Sequence, residues 1–204
     1  ITVAFLIVTV LVMAMAIVSY LQLRQVQPYS ATIIRDSSEL VAYQDLAQSL
    51  SDLDANLERF LVIRGVEYQE AVDTNLQEAS DSLAFLQEGD DPTEEDPVLL
   101  EELSNTVEQL QSDVQAVLAL EPDASSREIN EYIFVVYDGI EKAQQLQEEL
   151  TTLTLEELEA AAQTQSQIAN NVVTQSVIFG IIVTIFTIIT AVTTDRRLAA
   201  INTL

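Results

Sequence analysis

Two long apolar stretches decide the fold: ITVAFLIVTVLVMAMAIVSYL at residues 1–21 and VVTQSVIFGIIVTIFTIITAVTT at residues 172–194. Neither stretch contains Asp, Glu, Lys or Arg. A helix needs about 20 mostly apolar residues to cross the hydrocarbon core of a bilayer, and both stretches reach that length. Because lipid offers no hydrogen bonds to the backbone, both stretches must be helical. The sequence therefore predicts a hairpin through a membrane, with a folded region between two spans.

The region between the spans is strongly acidic. Residues 22–175 contain 32 Asp and Glu against 6 Lys and Arg, and the whole chain carries a net charge of −25. Arg196 and Arg197 come directly after the second span. By the positive-inside rule they predict a cytoplasmic C-terminus and an extracytoplasmic acidic domain, anchored in the plasma or inner membrane. A cleaved signal peptide is the alternative for residues 1–21, but the length of that apolar run favours a retained anchor.

The composition excludes several kinds of chemistry. The chain has no Cys and no His, which excludes disulfides, thiolate or imidazole metal ligands, Cys nucleophiles and Ser-His-Asp triads. No nucleophile–base pair is visible, so we expect neither an enzyme nor a cofactor within these residues. The acidity argues against nucleic acid as a partner.

Hydrophobic periodicity predicts an all-α protein. The absence of Trp and the presence of only 4 Gly and 4 Pro are typical of helical domains. Leucines at alternating spacings of three and four predict helices over residues 30–64, 67–88, 97–121 and 126–175. Pro28 is expected to kink or restart the helix after the first span. The residues 89–97, GDDPTEEDP, form the clearest loop.

Helix lengths predict the architecture. At 1.5 Å per residue the helical stretch from Gln22 to Arg64 is about 65 Å long and the fourth helix about 75 Å, whereas the second and third are about 35 Å each. The prediction is an up-down four-helix bundle far from the membrane and a two-helix stalk near it. Because two helices bury too little surface, we expect a second copy to complete the stalk in a homodimer. Thr154 and Gln165 either form polar layers in the stalk core or face water.

This layout resembles the input half of methyl-accepting chemotaxis transducers and transmembrane sensor histidine kinases. The stretch LERFLVIRGVEY at residues 57–68 is similar to the turn between the first two helices of many four-helix-bundle sensor domains. The tail DRRLAAINTL at residues 195–204 is similar to the start of a HAMP linker, although Ile201 stands where that motif usually has proline. The resemblance implies transmembrane signalling to a cytoplasmic module, through displacement of the fourth helix and the second span.

Basic and aromatic residues near the predicted membrane-distal end suggest a ligand site. Guanidinium groups together with aromatic rings suit a carboxylate or another small anion. The alternative is that each Arg pairs with a nearby Glu and that the aromatics are core residues. The candidate ligand-binding residues are Arg59, Arg64, Tyr68, Arg127, Tyr132 and Tyr137, with Phe134 at a similar height.

The acidic loop is a second candidate site. Clustered carboxylates can bind Ca²⁺, although this loop lacks the spacing of an EF-hand, and a solvated turn is the alternative. The candidate metal ligands are Asp90, Asp91, Glu94, Glu95 and Asp96.

Two functions remain open from the sequence. One is a signal-transducing receptor fragment that senses a small molecule or partner outside the membrane. The other is a membrane-anchored structural or accessory subunit that docks another protein without passing a signal. The residues that come after Leu204 in the full protein distinguish them, because only a receptor needs an output module there.

Overall fold

The computed structural model describes the backbone of residues 2–88, 96–120 and 126–201. Over these residues the chain is all-α, as predicted, and contains no strand. The described residues form four helices: α1 (Thr2–Ile63), α2 (Val66–Gln87), α3 (Asp96–Leu118) and α4 (Ser126–Ile201).

The first helix differs from its prediction at Pro28. A proline inside a helix removes one backbone hydrogen bond and costs about 3 kcal/mol, which is why the sequence predicts a break there. Instead α1 continues through Pro28 without interruption. Two residues further on, Ser30 accepts a hydrogen bond of 3.1 Å from Gln165 of α4. A contact with the neighbouring helix α4 thus lies close to the proline.

The chain divides into two compact units. Unit 1 consists of Ile1–Ile33 and Glu159–Leu204, and unit 2 of Ile34–Leu158. Helices α1 and α4 each contribute residues to both units, whereas α2 and α3 belong to unit 2 alone.

Unit 2 has apolar residues inside. All four helices contribute to one hydrophobic core, because their leucines and valines recur at spacings of three and four and so lie along one stripe. The stripes that this spacing predicts on α1, from Leu46 to Phe60, and on α2, from Val72 to Leu86, are buried as expected. The core comprises Ala42, Tyr43, Leu46, Leu50, Leu53, Leu57, Val72, Leu76, Ala79, Leu83, Leu86, Leu103, Val107, Leu110, Val114, Val117, Val136, Ile140, Ala143, Leu146 and Leu150.

Consecutive helices of unit 2 run antiparallel. Polar contacts join each helix to the next. Rising residue numbers on one helix meet falling numbers on the other between α2 and α3, and between α3 and α4, where Leu110 also lies beside Gly139. The polar contacts are Asn56–Asn75 at 3.0 Å, Asp73–Gln115 at 2.8 Å, Gln87–Ser104 at 2.9 Å and Glu102–Lys142 at 2.8 Å. Three reversals make α4 antiparallel to α1. One end of unit 2, which we name the turn end, therefore carries the α1–α2 turn, the end of α3 and the start of α4.

Unit 1 reverses this arrangement, with apolar side chains outside. In the described part of the chain, α4 contains the one helical segment that is long and apolar enough to cross a membrane, within Ile129–Thr193. Val12–Leu21 of α1 is a shorter apolar helical segment. The predicted first span falls partly on residues 1–8 and 11, whose side chains lie outside the described part, so that span stays a prediction. The exposed apolar residues of α4 in this unit are Val173, Val177, Ile178, Ile181, Ile182, Ile185, Ile188, Ile189 and Val192.

Some polar groups of unit 1 line a cleft between its helices, and others bond to their own helix. Ala14, Met15, Val18 and Ser19 of α1 and Gln175, Ser176 and Phe179 of α4 line a cleft of about 100 Å³. In the apolar part of α4, four threonine hydroxyls donate 2.8–2.9 Å hydrogen bonds to carbonyls four residues earlier; they belong to Thr184, Thr187, Thr190 and Thr193. These hydroxyls need no water, which is a requirement inside lipid.

Candidate functional site

The turn end brings together the helix ends that carry the predicted ligand residues. Arg64 comes directly after α1 and donates a 3.4 Å hydrogen bond to the carbonyl of Leu120, just after α3. Arg59 and Tyr68 flank the α1–α2 turn, and the other three candidates lie in the first turns of α4. All six predicted residues therefore lie at one end of unit 2.

Arg64 has a role within the fold that explains its position. Its backbone has a φ of 53°, in the left-handed region that L-residues other than glycine seldom adopt. Its N–H donates to the carbonyl of Phe60 at 2.7 Å and closes the end of α1. The guanidinium lies 5.1 Å from the centre of the Phe60 ring, within cation–π range. Arg64 thus ties the α1–α2 turn to the end of α3.

Arg59 and Arg127 are exposed cations with weaker attachments. Arg59 donates a 3.4 Å hydrogen bond to Asn56, whose amide in turn donates at 3.0 Å to Asn75 on α2. Arg127 is exposed in the first turn of α4. Neither Arg forms an ion pair with a described residue. The predicted anion site therefore stays a prediction.

Carboxylates dominate the groove between α1 and α4. Burial raises the pKa of Tyr137 above its usual value, and the nearby charges of Asp54 and Glu58 raise it further. Burial also raises the pKa of Asp54, with the charge of Glu58 as a second cause. In the part of the chain that the structure describes, no Lys or Arg pairs with either carboxylate. The two carboxylates would repel an anion placed next to Tyr137.

Several aromatic and aliphatic side chains are exposed at the same end. Tyr68 is half-buried, Tyr132 is exposed, and Phe134 is 73% exposed. On α1, Val62 is 80% exposed. The alternative that the aromatics are core residues is therefore wrong for Phe134. The large exposed hydrophobics described at the turn end are Val62, Ile63, Val66, Tyr132, Phe134, Val135 and Tyr137.

The acidic loop lies largely outside the described residues. Asp90, Asp91, Glu94 and Glu95 fall on residues that the structure does not describe, and Asp96 begins α3 with its side chain outside the description. Among the described side chains, no three carboxylates are grouped so as to hold a metal ion. The calcium site stays a prediction.

Unit 2 also contains a buried ion pair that the sequence patterns above do not predict. Asp36 is fully buried, and its Oδ1 accepts from Arg35 at 3.1–3.2 Å while Oδ2 has no hydrogen-bond partner in the described structure. Arg35 also contacts Glu39 at 3.4 Å. The sequence spacing does indicate that Asp36 is buried, because it precedes the buried Tyr43 and Leu50 by seven and fourteen residues and so continues their stripe.

The structure places the two polar residues of α4 whose surroundings the sequence left open. Thr154 is buried in unit 2, and its hydroxyl donates to the carbonyl of Leu150 at 3.0 Å. Gln165 is half-buried in unit 1, where it bonds to Ser30. Thr154 is therefore a polar layer of the core, and neither residue simply faces water.

Comparison with protein-family models, with curated proteins and with solved structures found no match for this chain. The resemblance to chemotaxis transducers and sensor kinases therefore stays a prediction, and function has to be argued from the two units themselves.

Proposed function

We propose that the chain is the input part of a transmembrane receptor, which senses a partner outside the membrane and passes helix displacement to a cytoplasmic module. Unit 2 is then an extracytoplasmic four-helix bundle, and unit 1 holds two spans in a bilayer. By the positive-inside rule, the C-terminal basic pair supports a cytoplasmic location for the end of the chain. Two copies form the working dimer.

The observation that carries this proposal is the composition of α4. A single helix, Ser126–Ile201, supplies Val136, Ile140, Ala143, Leu146 and Leu150 to the core of unit 2. The same helix then carries the outward-facing apolar segment of unit 1. An unbroken hydrogen-bonded helix shifts or rotates as one piece more easily than it bends, and shifts of about 1–2 Å are typical of such switches.

The inside-out character of unit 1 supports the membrane part of the proposal. Apolar side chains face outward, while Ser19, Gln165 and Ser176 lie at the contact between the two helices. Small and polar residues at helix contacts, with aliphatic residues outside, are typical of membrane bundles. In water the same surface would be an aggregation hazard.

A helix-phase experiment tests the proposal without knowledge of the stimulus. The chain is fused after Arg197 to the output half of a kinase-coupled receptor, and one to seven alanines are inserted after Gln163. Each insertion advances α4 by about 1.5 Å and rotates it by about 100°. For a receptor we expect kinase output to rise and fall with the helical period. Output that stays constant through the series would favour the accessory subunit.

Glycine substitution supplies the matched control. Changing Ala160 and Ala162 to Gly costs about 1 kcal/mol each in helix stability and should remove the periodic response. Changing Ala71 and Ala84 to Gly in α2 weakens a helix that has no apolar segment, and should leave the response intact. A periodic response that survives the α4 pair would contradict transmission through that helix.

A further inference from the structure

The cleft between α1 and α4 of unit 1 is polar at one end and apolar at the other. Its polar lining residues are Ser19, Gln175 and Ser176, and its apolar ones are Ala14, Met15, Val18 and Phe179. Along the chain, the polar residues are the last lining residue of α1 and the first two of α4. Because the two helices are antiparallel and Ser30 bonds to Gln165, the polar residues of both helices lie at the same end of the cleft.

Two hydroxyl groups in the cleft lack the hydrogen bonds that other hydroxyls of this unit form. The hydroxyls of Thr184 and Thr187 donate to carbonyls four residues earlier on α4. Ser19 and Ser176 are half-buried, and neither forms a hydrogen bond with a described residue. A polar group that leaves water without a hydrogen bond costs free energy, and lipid supplies no replacement. A ligand with a hydrogen-bonding group would therefore be stabilised at this end of the cleft.

The lining also limits the charge and the size of an occupant. No lining residue is charged, so an ion would lose its hydration without gaining a partner. A hydrocarbon chain would leave both serine hydroxyls unpaired, and water would find no partners at the apolar end. The cleft has a volume of about 100 Å³. Since a cavity of about 150 Å³ holds benzene, this cleft takes about four non-hydrogen atoms.

We propose that the cleft binds the hydroxyl end of an uncharged alcohol that reaches the protein through the lipid. The hydroxyl group lies at Ser19 and Ser176, the next carbons lie along Met15 and Phe179, and a longer chain continues into the bilayer. An amphiphile in a membrane keeps its polar end near water, and the polar end of the cleft lies near the ends of the two apolar stretches. This inference rests on the membrane location of unit 1 in the proposed function. It adds a ligand from the lipid to the partner outside the membrane.

Photolabelling tests the proposal. The probe is 1-octanol with a photoreactive diazirine at its third carbon, and the full chain is held in nanodiscs of zwitterionic lipid. After illumination, mass spectrometry locates the adducts. We expect labelling of the cleft to saturate with probe concentration and to be lost in excess 1-octanol but not in excess octane. Labelling that never saturates, that octane competes away equally, or that is shared evenly with the outward-facing Ile181 and Ile185 would show simple partition into lipid and would overturn the proposal.

Matched variants test the hydroxyl contacts. S19A/S176A removes the two unpaired hydroxyls, and T184A/T187A removes two hydroxyls that bond to their own helix. We expect the first pair to raise the half-saturating probe concentration by about fivefold or more, and the second pair to raise it by less than about twofold. Equal values for the two pairs would contradict the proposed contacts.

Filling the cleft provides a second test. A14L places a longer side chain among the lining residues, whereas A16L adds the same side chain at an exposed position of α1 outside the lining. We expect saturable labelling to be lost in A14L and kept in A16L, with the same circular dichroism for both variants. Saturable labelling that survives in A14L would contradict the site.

The outcome is separable from the receptor proposal. Extraction with alkaline carbonate measures membrane insertion, and the alanine series measures transmission, both without a ligand. Inserted protein with periodic kinase output but no saturable labelling would contradict the cleft site alone. Saturable labelling of the cleft with constant kinase output would contradict signalling alone.

Discussion

Units 1 and 2 use the same helices in opposite ways. In unit 2 the core leucines and valines of α1 and α4 point inward, and most charged residues face outward, with the buried Asp36 as an exception. In unit 1 the aliphatic residues of α4 face outward, and Gln165 bonds to Ser30 of the other helix. The backbone is helical throughout, so the difference lies only in which side chains occupy which face. One helix can therefore suit two solvents, one along each part of its length.

The strongest test of this contrast places charge on the outward face of unit 1. Changing Ile181 and Ile185 to Asp should prevent stable insertion, since each Asp near the centre of a span costs about 2.5–3.5 kcal/mol. The matched pair, Ile34→Asp and Val41→Asp, alters exposed residues of unit 2 and should leave insertion unchanged. Extraction of membranes with alkaline carbonate measures the inserted fraction. If both pairs remain inserted, α4 does not cross the bilayer.

The buried ion pair of unit 2 should respond differently to removal of each partner. Arg35→Ala leaves the fully buried carboxylate of Asp36 without its cation and should destabilise the fold by about 3 kcal/mol. Asp36→Leu removes the buried charge and leaves a half-exposed Arg that water can solvate, so it should be neutral or stabilising. Thermal unfolding of both variants gives the comparison. Equal losses would mean that the pair stabilises the fold through its attraction.

Truncation of an inward-facing residue should cost more than truncation of an outward-facing one. Leu50 is fully buried, and Leu50→Ala should destabilise unit 2 by about 2–5 kcal/mol through lost burial and a cavity. Ile185→Ala, on the outward face of α4, should leave the unfolding of unit 2 unchanged. Circular dichroism of the full chain in nanodiscs measures both. A large effect of Ile185→Ala would break the contrast between the units.

Substitution of Arg64, whose backbone is left-handed at the α1–α2 turn, should have a smaller effect on the free energy of unfolding. Arg64→Ala and Arg64→Gly both remove the contacts with Leu120 and Phe60, but only glycine accepts a φ of 53° without strain. We expect the Gly variant to be more stable than the Ala variant by about 1 kcal/mol. Urea unfolding of the two side by side checks this, and an Ala variant of equal stability would show that the turn relaxes.

The smallest effect is a pH dependence centred on Asp54. Its pKa is raised in the folded state by burial and by Glu58, so the fold binds a proton more tightly than the unfolded chain does. The stabilisation is fully present below the ordinary pKa of 3.8 and is lost as pH rises through the higher folded pKa. In Asp54→Asn that slope should be shallower. Unfolding free energies from acid to neutral pH measure it, and an unchanged slope would contradict the raised pKa.

Most of the helical fold could be predicted from the sequence, because apolar residues spaced three and four apart share one face of a helix and that face packs into the core. The stripe from Leu46 to Phe60 is buried as expected. The helix restart predicted at Pro28 was wrong, because α1 runs through that residue unbroken, whereas a kink there stays a prediction. The predicted loop and the first span lie largely on residues outside the description and stay predictions.

The candidate site was predicted less well, because charge partners depend on tertiary contacts. Sequence position groups Arg59 and Arg64 at one end, yet nothing in it indicates that Arg64 bonds to Leu120 or that Tyr137 faces Asp54. The sequence also does not show whether Phe134 is exposed or in the core. Adjacent residues of α4 point in different directions, so an error of one residue in placing the buried face reverses the expectation.

The boundaries of unit 2 fall inside helices, and this has a practical consequence. An excised fragment from Ile34 to Leu158 begins in the middle of α1 and ends in the middle of α4. If such a fragment is made for crystallisation, the cut in α1 leaves up to four backbone amides without hydrogen-bond partners, and the cut in α4 leaves up to four carbonyls without them. A Ser or Asp placed before Ile34 and a Gly after Leu158 would supply the missing ends. Production of a soluble fragment of unit 2 therefore depends on the residues placed at its two ends as much as on where the chain is cut.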